Sequence, residues 1–258
     1  DGVLPIGGKA LIAGVGGVGK SILVANLALD CAAGEQVWGI PSLPTPQPLR
    51  VLYIENEIGL AGLTSRLQIM ARWKSDPEVH SRIVVASQEP LLFAANKEEE
   101  KVNAQWEPWE QLLGPARPNI IIADPFATFH DLNENDNTDM RRITSNIDMI
   151  TRLSRERLGL EISWLIVHHF RKVGPDDVLG MNLFRGGSRL TDWADTRILI
   201  QYHKPQAGPD GIPHHFRQIN FAVIRQGPPM QDLWMWIDPC SLVPIPAEMR
   251  PSTGLSFG

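Results

Sequence analysis

The chain has 258 residues, of which 43% are hydrophobic and 21% are charged, a composition that suits one large globular α/β domain. Its 24 basic and 29 acidic residues give a net charge of −5, which excludes a surface that is basic throughout but allows a local basic loop. Two widely spaced cysteines favour a reducing compartment, and the sequence has no run of 18 apolar residues, so we expect a cytoplasmic protein without a membrane partner.

Residues 14–21 form a complete phosphate-binding loop of the pattern G-x-x-x-x-G-K-[ST]. The apolar run before the loop predicts a strand at 9–13, and the segment after it predicts a helix at 20–33. In this motif the backbone N–H groups surround a polyphosphate, Lys20 reaches the β- and γ-phosphates, and the Ser21 hydroxyl ligates Mg²⁺. The sequence therefore predicts binding of ATP with Mg²⁺. The predicted nucleotide-binding residues are Gly14, Val15, Gly16, Gly17, Val18, Gly19, Lys20, Ser21 and Ile22.

The rest of the chain alternates apolar runs with helical patterns, which predicts a mainly parallel sheet with helices on both faces. Strands are predicted at 50–55, 82–86, 119–124 and 162–168, and helices at 59–74, 105–113, 138–158 and 187–194. Further strands are predicted at 196–202, 216–224 and 232–237. Turns rich in proline and glycine join them, which indicates antiparallel strands at one sheet edge. We expect one domain over 1–246 and a flexible tail over 247–258.

Two of the predicted strands end in carboxylates, on the sheet edge where ligands of parallel sheets bind. Asp124 ends one strand and is predicted to hold Mg²⁺ together with Ser21. Another strand ends near Glu55, and Glu57 follows two residues later. A carboxylate here can orient the attacking water and accept its proton. We predict Glu57 as this base, because a residue just beyond the strand is freer to reach the γ-phosphate, and Glu55 is the alternative.

The order of these motifs resembles that of RecA-like ATPases, in particular the branch with the hexameric plasmid helicase RepA and its AAA-type relatives. The motifs are the phosphate loop, a strand with a glutamate, a strand with an aspartate, and the segment 164–169, which ends in two histidines. The resemblance implies an α/β RecA-like P-loop fold, with Glu57 as the catalytic glutamate and Asp124 as the metal-site aspartate. It also implies that His168 or His169 polarises or senses the γ-phosphate.

The segment 221–228, Phe-Ala-Val-Ile-Arg-Gln-Gly-Pro, resembles the K-x-R-x-G-P strand of ring helicases and recombinases. In those families the basic residues reach across a subunit boundary to the γ-phosphate of the neighbour, and Arg225 falls on that position. Val223 stands where a lysine is usual, so Arg197 in the preceding strand is a second candidate. The resemblance thus implies a catalytic arginine acting between subunits and self-assembly into a hexameric ring.

In RecA-like motors, the loops after the aspartate strand and after the sensor strand face a central channel. The corresponding segments here are 131–141, which is acidic and offers no aromatic residue for base stacking, and 170–186. The basic residues predicted to bind DNA are Arg171, Lys172 and Arg185. Together they are enough to follow a phosphodiester backbone, although a basic loop with glycines can also be simply flexible.

The resemblance therefore implies a Mg²⁺-dependent ATP hydrolase that works as a ring-forming helicase or translocase on single-stranded DNA. Its setting would be replication of a plasmid, phage or mobile element, with a primase or a replication-initiation protein as a further partner. Two alternatives stay open: a regulatory ATPase switch of the KaiC type without nucleic acid, and a RecA-type recombinase that coats DNA as a filament. Stimulation of the ATPase by DNA separates a motor from a switch, and particle shape separates a ring from a filament.

Overall fold

The computed structural model describes residues 2–87, 100–130, 132–169, 188–203, 205–207 and 213–247. The centre of the structure is a nine-stranded sheet in the order β11-β10-β9-β6-β1-β5-β4-β2-β3. Its strands are β1 Lys9–Gly14, β2 Val51–Glu55, β3 Ile83–Ser87, β4 Ile120–Asp124, β5 Ser163–His169, β6 Thr196–Tyr202, β9 Arg217–Ile224, β10 Leu233–Ile237 and β11 Pro244–Pro246. The short strands β7 Gln206–Ala207 and β8 Pro213–His214 pair with each other.

Strands β6, β1, β5, β4, β2 and β3 are parallel to one another, whereas β9, β10 and β11 are antiparallel to their neighbours. The α-helices are α1 Lys20–Ala33, α2 Gly59–Ala71, α3 Glu100–Ala116, α4 Asn137–Leu158 and α5 Ser188–Trp193. This confirms the predicted α/β class, with a mostly parallel sheet and antiparallel strands at the C-terminal edge. No helix in the described part of the chain is long and apolar enough to cross a membrane.

Successive residues of the central strands point to opposite faces of the sheet, and both faces are covered. On one face, a cluster that includes Ile12 and Ile122 packs with Leu23 of α1 and Leu63 of α2. On the other face, Leu11, Leu52, Ile121 and Ile166 share a second cluster with Trp109 of α3 and Ile147 of α4. All five residues of β2 and of β4 are buried, so the central strands are continuous apolar runs that end in polar residues only at the sheet edge.

The start of α4 and the end of α1 follow local capping signals. The Asp136 side chain accepts hydrogen bonds from the N–H groups of Thr138 and Asp139, at 2.6 and 3.1 Å, and starts α4. Gly34 ends α1 in the left-handed region, with φ of 73°. The second half of the predicted loop 131–141 is therefore the first turn of α4. At the predicted tail, the Ala247 N–H still donates to the carbonyl of Trp234, and 248–258 lie outside the described residues.

Candidate functional site

The carboxyl ends of the parallel strands bring the residues predicted to bind nucleotide and metal to one edge of the sheet, together with the predicted glutamate and histidines. Gly14, at the end of β1, is level with His169 of β5 and Ile200 of β6. Glu55 of β2 is level with Asp124 of β4. The phosphate loop, the two acidic strand ends and the histidine strand end therefore share the edge at which open α/β sheets bind ligands.

The phosphate loop connects β1 to α1 and depends on a glycine just before the helix. Gly19 has a φ of 92°, which disfavours any residue with a side chain. A Cβ atom there would lie 3.0 Å from the Ile237 Cδ1 atom and 3.2 Å from the Arg217 Nε atom. The Gly19 carbonyl accepts the N–H of Leu23 at 3.0 Å, so the helix starts directly from the loop. Its N-terminus thus faces the space above the loop, as anion binding requires.

Lys20 is buried although it carries an amino group, with an exposed fraction of 4%. Its Nζ atom donates to the carbonyls of Gly14 and Val15, at 2.9 and 3.0 Å, and lies 3.2 Å from the His169 Nδ1 atom. Burial lowers the pKa of Lys20 to about 8, against the opposing effect of the negative charges of Asp124 and Glu57. The amino group is therefore held beside the first residues of the phosphate loop, where a bound phosphate would favour its charged form.

This lowered pKa predicts that ATP binding takes up a proton. A bound polyphosphate stabilises the ammonium and raises the pKa of Lys20, which is about 8 without that phosphate. The affinity for ATP should therefore fall as the pH rises through 8 towards 10, because an uncharged amine must then be protonated. Calorimetric titrations near pH 9, in buffers of different ionisation enthalpy, should show proton uptake. Lys20→Arg should show none, since a guanidinium stays charged, and proton release by the native protein would contradict the prediction.

Asp124 and Ser21, the two residues predicted to hold Mg²⁺, lie within hydrogen-bond distance of each other. Asp124 is buried at the end of β4, where the Tyr53 hydroxyl donates to its Oδ2 atom at 2.6 Å and Ser21 forms a second side-chain hydrogen bond. Burial raises the pKa of Asp124, and these two hydrogen bonds act in the opposite direction. Burial also raises the pKa of Tyr53 well above its usual value, so its hydroxyl remains a donor.

The oxygen donors of this pair fit Mg²⁺, which binds through one or two protein oxygens together with phosphates and water. No group of three or more histidine, cysteine or acidic side chains able to hold a metal exists in the described part of the chain. Tyr53 did not figure in the sequence prediction. The signal for it was the one aromatic residue of this strand, whose hydroxyl lies two residues before Glu55.

The two candidate bases have different surroundings. Glu55 is buried, and its Oε1 atom accepts the N–H groups of Glu57 and Ile58, at 2.5 and 2.6 Å. Its Oε2 atom accepts the N–H of Gly59 at 2.7 Å, so the carboxylate caps the start of α2. Glu57 is exposed, and its charge acts on Lys20. The structure thus gives Glu55 a structural task and leaves Glu57 as the accessible carboxylate beside the phosphate loop.

The two histidines point in opposite directions, because adjacent strand residues face opposite sides of a sheet. His169 lies against Lys20. His168 is buried on the other side, edge-on to Phe126 with ring centroids 5.7 Å apart. Its Nδ1 atom is 3.8 Å from the Glu134 Oε1 atom, which is also 3.7 Å from the Nε2 atom of His130. Of the two histidines predicted as γ-phosphate sensors, His169 is the one in contact with Lys20, and the sensor role itself stays a prediction.

The two candidate arginines for action between subunits lie together, away from the phosphate loop of their own chain. Arg197 is level with Leu11, three residues and about 10 Å before the end of β1. It is buried, and its Nη2 atom is 3.6 Å from a carboxylate oxygen of Asp192. Burial and the charge of Arg225 lower the pKa of Arg197. Arg225 follows β9, is exposed, and its N–H donates to the Asp195 carbonyl at 3.0 Å.

Arg217, at the other end of β9, is a residue of the site that sequence reasoning missed. Its Nε atom donates to the carbonyl of Val18, in the phosphate loop, at 2.9 Å. The available signal was topological: the first residue of a strand antiparallel to β6 must lie at the carboxyl end of β6. Arg171, Lys172 and Arg185, the residues predicted to bind DNA, lie outside the described residues.

Comparison with protein families adds one match. A family model described as an AAA domain matches residues 1–175, about two thirds of the chain. The match spans the phosphate loop, Glu57, Asp124 and both histidines. No curated protein matches the sequence. The match and the geometry of the loop agree that the site binds nucleotide, and the chain belongs to the AAA domain family of RecA-like P-loop ATPases.

Proposed function

We propose that this ATPase is a ring-forming motor of the RepA type, which moves on single-stranded DNA during replication of a plasmid, phage or mobile element. A primase or a replication-initiation protein would be its partner in that process. The observation that supports assembly most directly is the position of Arg197 and Arg225. In one chain the phosphate loop lies at the carboxyl ends of the parallel strands. Arg197 and Arg225 lie next to each other near the amino end of β6. A head-to-tail ring would bring the phosphate loop of one subunit and the arginines of its neighbour together.

In this proposal each side chain around the phosphate loop has one role in hydrolysis. Lys20 and the amides of 16–21 hold the β- and γ-phosphates, and Ser21 and Asp124 would hold Mg²⁺. When bound, Mg²⁺ neutralises charge that develops on the phosphate oxygens. Glu57 orients the attacking water and accepts its proton. His169 contacts Lys20, so a change in the position of Lys20 on binding or loss of the γ-phosphate would alter that contact. Arg225 of a neighbouring subunit stabilises charge in the transition state.

The connection to DNA would pass through the strand that carries the histidines. His168 is the neighbour of His169 in β5, and it lies against Phe126 and near Glu134 on the opposite face of the sheet. Glu134 belongs to the segment before α4, which in RecA-like motors faces the channel. The segment 170–186 directly continues β5 and holds the predicted basic residues. A change at the γ-phosphate could therefore reach both segments through one strand end.

The DNA part of the proposal predicts ATP-dependent binding to single-stranded oligonucleotides. Replacing Arg171, Lys172 and Arg185 by alanine should abolish binding and DNA stimulation but retain most basal hydrolysis, since none of them is assigned to the phosphate site. Binding should weaken steeply with salt and tolerate changes of base sequence, because backbone contacts release counterions and carry no base information. Fluorescence anisotropy with a non-hydrolysable ATP analogue and ATPase assays with and without DNA measure both effects.

The matched control removes the same number of charges from exposed positions elsewhere. Arg72, Arg152 and Arg155 are exposed, and their triple alanine variant should bind DNA as the native protein does. Absence of DNA binding by the assembled native protein at low salt would contradict the motor and favour the regulatory switch. Extended filaments on DNA, instead of closed rings in electron micrographs, would favour the recombinase.

A further inference from the structure

The positions of the catalytic side chains indicate the direction in which a bound nucleotide would extend from the phosphate loop. Lys20 contacts His169 of β5, Asp124 ends β4, and Glu57 follows β2. All of them lie on one side of β1 in the sheet order. The γ-phosphate and its metal therefore belong over that side. The ribose and the base must then extend over the other side of β1, towards β6, β9 and β10.

On that other side a basic and aromatic cluster touches the phosphate loop. Arg217 donates its Nε to the Val18 carbonyl at 2.9 Å and its Nη1 to the His215 carbonyl at 2.6 Å. The same guanidinium lies 5.7 Å from the centre of the Tyr202 ring. The rings of Tyr202 and His215 are stacked, with centroids 5.1 Å apart and an angle of 27° between their planes. One arginine thus joins a stacked ring pair to the backbone that would hold the phosphates.

The ring pair is open to solvent, so a ligand can reach it. Tyr202 is 45% exposed and His215 is also exposed, whereas Arg217 is half-buried. A nucleobase is a flat ring system, and stacking on a protein aromatic ring tolerates any base because every base has a π-face. A purine presents a larger face than a pyrimidine, so a stacking surface without edge contacts favours purines over pyrimidines.

We propose that Tyr202 and His215 form the base-binding platform for the nucleotide of their own subunit, positioned on the phosphate loop by Arg217. The proposal rests on the use of ATP in the proposed function and extends it to the choice of base. The platform accepts the purine triphosphates ATP and GTP with similar affinity, and it binds CTP and UTP more weakly. Arg217 is a positioning residue, because it orders both the loop and the ring pair.

Binding of ATP and of inorganic tripolyphosphate, each with Mg²⁺, separates the platform from the phosphate loop. Tyr202→Ala should weaken ATP binding about tenfold or more, which is the loss expected for one stacked base, and leave tripolyphosphate binding unchanged. Tyr202→Phe keeps the ring and should bind ATP nearly as well as the native protein. The preference for purines should disappear in Tyr202→Ala. Arg217→Ala should weaken the binding of both ligands.

The control is Trp73→Ala, which removes another exposed aromatic ring. Trp73 is 67% exposed, and its neighbour Lys74 pairs with Asp30, ten residues along α1 from Lys20, so it lies far from the phosphate loop. Unchanged ATP affinity in Tyr202→Ala would overturn the platform while leaving the ATPase proposal intact. If Tyr202→Ala weakened the binding of ATP and of tripolyphosphate equally, the platform would also be overturned, because Tyr202 would then act through the phosphate loop alone. A native protein that binds neither ligand would overturn both proposals.

Discussion

Glu57→Gln should bind ATP with nearly native affinity and hydrolyse it about 100- to 10,000-fold more slowly, the range for loss of a general base. The amide keeps the size of the side chain but cannot accept the proton of the attacking water. Glu57 is exposed beside the phosphate loop, and its charge acts on Lys20. Single-turnover hydrolysis and an independent binding titration on the same preparation would separate loss of chemistry from loss of binding.

Glu55→Gln is the matched comparison, two residues away in the chain. Because the Glu55 carboxylate accepts three backbone N–H groups at the start of α2, this variant should lose about 1–3 kcal/mol of unfolding free energy. Thermal or denaturant unfolding measures that loss, while the folded fraction should still hydrolyse ATP. Native turnover in Glu57→Gln together with lost turnover in a folded Glu55→Gln would make Glu55 the base.

Subunits that carry Arg225→Ala should lose about 10³- to 10⁵-fold in turnover, and activity should return when they are mixed with inactive Lys20→Ala subunits. Each variant lacks a different half of a site shared between subunits. In a ring assembled at random from equal amounts, about one quarter of the interfaces combine an intact phosphate loop with an intact arginine. Steady-state ATPase activity across mixing ratios should therefore pass through a maximum.

Controls decide which arginine acts and whether assembly matters. Arg152→Ala removes an exposed charge from α4 and should keep native turnover by itself, so its activity should only fall as Lys20→Ala subunits are added, without a maximum. Arg197 is buried, so Arg197→Ala should also lower stability, and unfolding must be measured beside the mixing assay. Native specific activity should rise with protein concentration as rings form. Full activity in a demonstrated monomer would contradict an arginine that acts between subunits.

Local sequence patterns are sufficient to predict the phosphate loop, the five described α-helices and all of the described strands except the short β7, β8 and β11. The predicted helix 20–33 and strand 196–202 agree with α1 and β6 residue for residue. These segments are long, nearly continuous apolar runs with clear ends, and the loop before α1 carries the glycines that its backbone needs. The prediction was weaker at 105–113, where α3 spans Glu100–Ala116 and contains two prolines. Burial of Trp106, Trp109 and Leu113 stabilises this helix where its own pattern does not.

Only the tertiary structure distinguishes between side chains of the same chemistry. Glu55 and Glu57 are equivalent carboxylates in the sequence. In the structure Glu55 accepts backbone hydrogen bonds at the start of α2, whereas Glu57 stays accessible. His169 meets Lys20 while its neighbour His168 turns to the other face. Arg217 begins β9 and Arg225 directly follows its other end, yet of the two only Arg217 reaches the phosphate loop of its own chain. The reason is physical: strand register and direction bring residues far apart in sequence together, and periodicity within one segment carries no information about that pairing.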